Sequence, residues 1–212
     1  MKSTAPQCAK CSVVRCGALE KTKELPSFCV TKNYPDLIKE SVEKNKSDSE
    51  VRAINRAWSE LTERIGKERE SRTRVEEVIA YAQARGVKKI GIANCIGLLW
   101  EAKLLTHILE DNGFEVVSVC CLAGEVTRKD VNMESTGIFC NPIMQASVLN
   151  REGTQLNIML GLCIGHDILF LRHSEADVTP LVVKDGQLGN NPAVALYLSA
   201  GPWREKFKKQ SE

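Results

Sequence analysis

The chain has 212 residues, 43% hydrophobic and 26% charged, proportions of a globular protein and not of a disordered or fibrous one. Its 29 Lys and Arg against 27 Asp and Glu leave a formal charge of +2, too little for the basic footprint of a nucleic-acid or membrane-surface binder. No apolar run reaches the roughly eighteen residues a membrane span needs. The opening MKSTAPQCAKCSVVR has no apolar centre of a secretory signal, so a cytoplasmic protein is expected.

Cysteine is the unusual residue. Nine are present: Cys8, Cys11, Cys16, Cys29, Cys95, Cys120, Cys121, Cys140 and Cys163. An odd number cannot all pair internally, and in a reducing compartment clustered thiols are metal ligands, reactive groups or small buried hydrophobes before they are disulfides.

Three stretches follow along the chain. Residues 1–33 hold four cysteines among Lys, Ser, Thr and Pro, too short a segment to bury a core, so a metal or docking must hold it. Residues 34–86 read as helices that pack on the core. Ser47 with Glu50 suits a capping box, and Val51, Ile54, Trp58, Leu61 and Ile65 step by three and four along one stripe. A further helix near Thr73 to Arg85 carries Val75, Val78, Ile79 and Ala82, and Gly86 ends it.

From residue 87 to 212 strand and helix alternate. VKKIGIANC is a strand, and the helix after it turns Leu98, Ala102, Leu105 and Leu109 inward. FEVVSVCCLAG is a second strand, apolar enough to be buried on both faces. A loop leads to a helix at Asn141-Pro142, then QLNIMLGLC (strand), IGHDILFLRHSEA (helix), TPLVVKD (strand) and a last helix opening at Asn191-Pro192. The expected fold is α/β: a small Rossmann-like parallel sheet of about four strands, with the helical segment over one face or edge.

The first chemical feature is Cys8-x2-Cys11-x4-Cys16-x12-Cys29. A two-residue spacer lets one turn present two sulfurs to one ion, and four thiolates complete a tetrahedral shell for zinc or, alternatively, an iron–sulfur cluster. Exposed free thiols in a loose tail are the bland alternative. The second feature is placement. Cys95, Cys120 with Cys121, and Cys163 fall at or near the ends of three successive strands, Asp185 at the end of the fourth, and Cys140 in a loop entering a helix. In an open parallel sheet these carboxyl ends form one rim where ligands bind. A strand cysteine taken alone is more often core; the shared placement makes a thiol or metal site. Cys163-Ile-Gly-His166-Asp167 adds an imidazole and a carboxylate, with Cys163 as nucleophile or ligand and His166 polarising it. Asn141 and Asn191 cap helices whose amino ends suit an anion, and with Asp185 they are the expected ligand-binding positions. His107 reads as exposed, and His173 sits near its helix's end, where the dipole mildly favours a cation. No GxGxxG, P-loop or GxSxG is present.

The strings CNPIMQA and GLCIGHD, with the turn at GIANCIGLLWEA and the early cysteines, resemble a family of uncharacterised, cysteine-rich proteins of anaerobic bacteria and archaea described as metal-binding. The resemblance spans nearly the whole chain and implies a metal-binding protein with no assigned reaction. On it, Cys95, Cys121, Cys140, Cys163 and His166 form the central site. The sequence departs from that pattern at Gly186, Asn190 and Asp177, where relatives often carry Arg, His and Pro, which puts any shared ligand in doubt.

The expectation is therefore a metal-binding protein, zinc or iron–sulfur, with Cys8, Cys11, Cys16, Cys29, Cys95, Cys121, Cys140 and Cys163 as ligands and thiol or redox chemistry at the rim. A non-catalytic metal or redox sensor or carrier is the alternative. A metal ion and a small anion are the expected partners. Nucleic acid is disfavoured, because Lys2, Lys10, Arg15, Lys21 and Lys23 are diluted by Glu20 and Glu24 and only Phe28 offers a ring.

Overall fold

A computed structural model describes residues 5–13, 16, 24–65 and 72–208, with side chains at 60–65 left aside. The chain divides into two compact units, Met1–Glu60 and Leu61–Glu212. Helices α1 (Val30–Asn33), α2 (Pro35–Ser47) and α3 (Ser49–Ile65) start in the first unit; the second holds α4 (Arg74–Ala84), β1 (Lys89–Asn94), α5 (Leu99–Asp111), β2 (Glu115–Cys120), α6 (Pro142–Arg151), β3 (Leu156–Leu160), α7 (His166–His173), β4 (Asp177–Val182) and α8 (Ala193–Ser199). Among the described residues no helix is long and apolar enough to cross a membrane.

In the first unit α2 and α3 meet at Asp48, not at a Ser47–Glu50 box. Ser47 ends α2, its hydroxyl donating back to the Glu43 carbonyl (2.8 Å), while Asp48 Oδ1 accepts from the N–H groups of Glu50 (2.9 Å) and Val51 (3.2 Å). The shift is physical: a carboxylate one residue on caps with charge as well as hydrogen bonds, and Ser47 is still helical. Asn55 Nδ2 donates to Asn45 Oδ1 (2.6 Å), tying α3 to α2. Of the expected α3 stripe, Val51 and Ile54 are half-buried, and Trp58 is half exposed; Ala57, off that list, is buried. Leu61 and Ile65 lie outside the described side chains.

The second unit is an α/β sandwich on a four-stranded parallel sheet, order β2-β1-β3-β4. The capping box belongs to α4: the Thr73 hydroxyl accepts from Glu76 N–H while the Glu76 carboxylate accepts from Thr73 N–H (2.7 Å). Alternation along the strands then assigns the layers. Ile90, Ile92, Leu156, Ile158 and Leu160 pack with Val78 and Ala82 of α4, Ala102, Leu105 and Leu109 of α5, and Leu98 just before it. Ala93, Val119 and Met159 pack on the other face with Ala146 and Leu149 of α6 and Phe170 of α7. Helices α5 and the α6–α7 pair thus lie on opposite faces, as right-handed crossovers from β1 outward to β2 and back across to β3 require.

Strand β2 corrects an expectation. Its apolar run suggested burial on both faces, but it is an edge strand with only Val119 buried, because β1 takes the central place beside β3. β4 also begins at Asp177 and ends at Val182, two residues before the TPLVVKD string and three before its end.

The buried face of α6 and α7 carries a polar knot around Asn157. Asn157, fully buried, accepts from the Thr154 hydroxyl (2.7 Å) and donates to the Ser174 hydroxyl (2.8 Å), which donates on to the Ala176 carbonyl (2.9 Å). It fits because its neighbour across the ladder is Gly91, where a Cβ would stand 2.0 Å from Asn157 Oδ1 and 2.9 Å from Leu149 Cδ1. Gly91→Ala is therefore expected to cost about 2 kcal/mol or more, by overpacking and by parting buried hydrogen bonds, read as a lower midpoint in denaturant unfolding; an unchanged midpoint would show that Asn157 has another place to go.

Candidate thiol site at the carboxyl edge of the sheet

The strand order reverses between β1 and β3: the connection from β1 leads outward to β2 on one face, and that from β3 leads outward to β4 on the other. The crevice outside the carboxyl ends of these two strands is the topological switch point of an open parallel sheet. Cys95 stands there, one residue past β1, its N–H donating to the Leu160 carbonyl of β3 (3.1 Å) and its own carbonyl opening the 3-10 turn Ile96–Leu98 that leads into α5.

Cys121 stands one residue past the end of the neighbouring strand β2. Asn94 pairs with Cys120, and Cys121 N–H continues the pattern onto the Asn94 carbonyl (2.9 Å). The Ile96 N–H points at Cys121 Sγ (3.3 Å). Gln145 of α6, fully buried, donates from Nε2 to the carbonyls of Asn94 (3.1 Å) and Val119 (2.7 Å) and so holds the ends of β1 and β2 beneath the two thiols.

The long loop after β2 returns to the same place. Thr127 pairs with Ile138 in a short antiparallel bridge, Arg128 N–H reaches the Gly137 carbonyl (2.9 Å), and Phe139 N–H reaches that of Val126 (2.8 Å). Asn141 N–H then donates to the Cys121 carbonyl (2.8 Å). Asn141 caps α6 as the Asn-Pro pair requires, Oδ1 accepting from Met144 N–H (3.0 Å) with Pro142 in the first turn. This brings the Cys140 thiol, like that of Cys95, near enough to Cys121 to shift its ionisation.

From the other side comes a residue that the sequence reading passed over. Lys184, two residues beyond β4, puts Nζ 2.9 Å from Cys95 Sγ and lies near enough to Cys163 for that thiol to favour its charge. Cys163 lies three residues past β3, in a turn made possible by Gly161, whose φ of +64° is left-handed and where a Cβ would stand 2.0 Å from Leu98 Cδ1. The signal for Lys184 was its adjacency to Asp185; the strand-end rule selected the carboxylate and ignored the cation beside it.

The electrostatics divide the thiols. At Cys95 burial works against ionisation, but the Lys184 ammonium, the Gly97 N–H and the Cys121 thiol outweigh it and hold the group below the usual thiol range. At Cys121 burial dominates; the Ile96 N–H opposes it only in part, the charge of Cys140 adds to it, and the thiol is pushed up to about 12. Lys184 is raised in turn, first by its bond to Cys95. One sulfur is thus favoured as thiolate and its neighbour as thiol.

Other expected site residues have different work. Asp185 accepts at Oδ1 from the N–H groups of Gln187 and Leu188 (3.0 Å each), and Asn190 Oδ1 accepts from Asp185 N–H (3.1 Å), so both close the loop after Lys184. Asn190 is left-handed there, φ +62°, which Asn tolerates better than most residues. Asn191 does not cap α8: the helix begins at Ala193 behind Pro192, and no side chain caps it. The Asn191 N–H donates to the Leu188 carbonyl (3.1 Å) instead, because the preceding turns already set the chain. His166 stands at the start of α7 with its N–H on the Cys163 carbonyl (2.9 Å), and among the described residues no hydrogen bond joins its ring to the Cys163 thiol. Asp167 accepts from Gly165 and Ile168 N–H groups, capping its own helix. His107 is exposed beside Glu110, and His173 ends α7, as read from the sequence.

In the first unit Cys8 and Cys11 bracket one 3-10 turn, Cys11 N–H donating to the Cys8 carbonyl (3.1 Å); Cys8 and Cys16 are exposed, and Cys29 is buried at the start of α1. Among the described residues no three His, Cys, Asp or Glu side chains stand in an arrangement that could hold a metal ion.

Residues 29–181 match the family described as "Protein of unknown function (DUF1847)", well over half of the chain. The chain belongs to this family. The chain is also similar to Uncharacterized protein MJ0455 of the archaeon Methanocaldococcus jannaschii, 42% identical over 168 residues that cover 76% of this chain and 84% of that protein. The matched stretch takes in Cys95, Cys121, Cys140 and Cys163 and ends three residues short of Lys184.

The Lys184–Cys95 pair makes the first prediction for this site. Cys95 ionises at lower pH in the folded chain than in the unfolded one, so the pair stabilises the fold above the unfolded thiol's pKa and loses that stabilisation as pH falls through the folded value. In Lys184→Met the pH midpoint for alkylation of Cys95 should move up, and the loss of stability should be larger at mildly alkaline than at acid pH. A pH-independent difference in the unfolding midpoint, with an unmoved alkylation profile, would show that the contact is packing alone.

Proposed function

We propose that the protein works by thiol chemistry at the switch point, with Cys95 as the reactive sulfur and Lys184 as its counter-ion. The 2.9 Å contact between Lys184 Nζ and Cys95 Sγ supports this most directly, since the thiolate and not the thiol is the nucleophile. The geometry favours Cys95 over Cys163 for this role: the ammonium, a backbone N–H and a second thiol stand around it. His166 is then a turn residue of α7 and not a base for Cys163. Cys95 is only 5% exposed, so small electrophiles are the substrate class that suits it. The same pair could serve a redox sensor that turns nothing over, and sustained consumption of substrate separates the two.

A second reading concerns metal. We infer a zinc or iron–sulfur site formed by Cys8, Cys11, Cys16 and Cys29. The turn that joins Cys8 and Cys11 supports it, and so does a donor set of four thiolates, which suits either group in kind. The rim thiols suit a metal less well in the arrangement they have, because the charge beside Cys95 and Cys163 is already an ammonium.

Two experiments test these readings. Brief treatment of the reduced full-length chain with iodoacetamide at neutral pH, followed by peptide mapping, should label Cys95 ahead of Cys121, Cys140 and Cys163; labelling of Cys163 first would return the nucleophile to that residue. For the amino-terminal cysteines, Cys11→Ser together with Cys16→Ser should lower metal bound per chain in protein purified without oxygen or added metal, with the α/β unit still folded by circular dichroism. Unchanged metal content in that variant rules the amino-terminal site out.

A further inference from the structure

Cys95 and Cys121 are more than two members of a cluster. The register sets Asn94 against Cys120, and the Cys121 N–H on the Asn94 carbonyl (2.9 Å) continues it, so Cys95 and Cys121 each stand one residue past the paired ends of adjacent strands. Neighbouring strands run about 4.8 Å apart, inside the roughly 4.4–6.8 Å between α-carbons that a disulfide spans. Gln145 pins both strand ends from below through the Asn94 and Val119 carbonyls, so the spacing is held by a buried side chain. The Ile96 N–H draws Cys121 Sγ to the turn that begins at Cys95, and the two thiols are near enough to shift each other's ionisation. Cys140 also lies near Cys121, and Cys163 lies near Lys184; neither stands at the end of the strand paired beside that of Cys95.

We propose that Cys95 and Cys121 are a two-cysteine redox couple that a small hydroperoxide oxidises to a disulfide, Cys95 being the sulfur attacked first and Cys121 the one that resolves it. The inference rests on the reading of Cys95 as the reactive sulfur and adds its partner and its oxidant. In the first step Cys95 Sγ, as thiolate, attacks one peroxide oxygen. An S–O bond forms, the O–O bond breaks, and the departing hydroxide or alkoxide takes a proton from the Lys184 ammonium beside the sulfur, leaving Cys95 as sulfenic acid and releasing water or alcohol. In the second step Cys121 gives up its proton and attacks Cys95 Sγ. The S–S bond forms, the S–O bond breaks, and the hydroxyl leaves as water. Two thiols are oxidised by two electrons and one peroxide is reduced. Lys184, exposed to solvent, regains its proton from water. An external thiol is the reductant that would reopen the bond by exchange. Burial selects the oxidant: Cys95 is 5% and Cys121 3% exposed, which admits hydrogen peroxide and hinders bulky disulfides.

The test uses the full chain, reduced and then freed of reductant without oxygen. It is given one equivalent of hydrogen peroxide, with dimedone to trap sulfenic acid and N-ethylmaleimide to block remaining thiols, and its peptides are mapped by mass spectrometry with fragmentation to separate Cys121 from Cys120. The expected result is a Cys95–Cys121 disulfide in the unaltered protein, replaced in Cys121→Ala by a dimedone adduct on Cys95 and in Cys95→Ala by neither. The unaltered protein carries the decisive reading even if a variant folds poorly. A Cys95–Cys163 or Cys121–Cys140 link, or a Cys95 sulfenic acid that persists with Cys121 present, overturns the couple while leaving Cys95 as the reactive sulfur. No modification of Cys95 by peroxide overturns the couple as well, and if iodoacetamide also leaves Cys95 behind the other thiols, the underlying reading falls with it.

Discussion

Strand β1 is enclosed on all sides. It has β2 on one edge and β3 on the other, Ile90 and Ile92 pressed against α4 and α5, and Ala93 facing the α6 and α7 layer. A strand so placed must pair every backbone group with its neighbours, because no water is there to take them. Its register is consequently fixed on both edges, and so is whatever stands at its end. Cys95 occupies that end. The site inherits its geometry from the most constrained strand of the sheet, while Cys140 and Lys184 are carried to it by loops that have their own hydrogen-bonded supports.

The loops earn their order in different ways. The segment after β2 closes through an antiparallel bridge and hands its end to the Cys121 carbonyl through Asn141. The segment after β4 closes through Asp185 and Asn190. Both capture Asx side chains for backbone amides, which explains why carboxylates expected to meet a ligand are found turned to the chain. What they leave at the rim is one ammonium and several thiols. A cation among thiols sets one sulfur apart from its neighbours, since it lowers the cost of charge only where it touches, and burial raises that cost everywhere else. The contrast between Cys95 and Cys121 follows from that asymmetry, with the two residues side by side in one register.

A good part of this was legible from the residues. Leu98, Ala102, Leu105 and Leu109 recur with helical spacing, and all four are buried. The alternation of apolar strands with helices implied a parallel sheet, and parallel order places strand ends on one edge, so Cys95, Cys121 and Cys163 could be grouped before any coordinates. Asn141-Pro142 marked a helix start because cap and first-turn chemistry are local. Where neighbouring candidates competed, locality was not enough. Asp48 took the cap from Ser47, and turns preceding Pro192 displaced Asn191. β2 read as buried because its composition is apolar, but strand order is a property of the whole sheet and put it at the edge.

The sequence by itself determined the fold class and the edge on which the cysteines gather, because hydrophobic period and parallel topology are both written in spacing. Tertiary structure alone decided which sulfur meets which group. Lys184 lies 89 residues from Cys95, and nothing in the spacing of either says that β4 will deliver one to the other. That pairing depends on β3 standing between β1 and β4, on the turn at Gly161, and on Asp185 turning away to bind its own loop. Charge and burial act through space over a few ångströms, so the difference between a reactive thiol and an inert one appears only once the chain has folded.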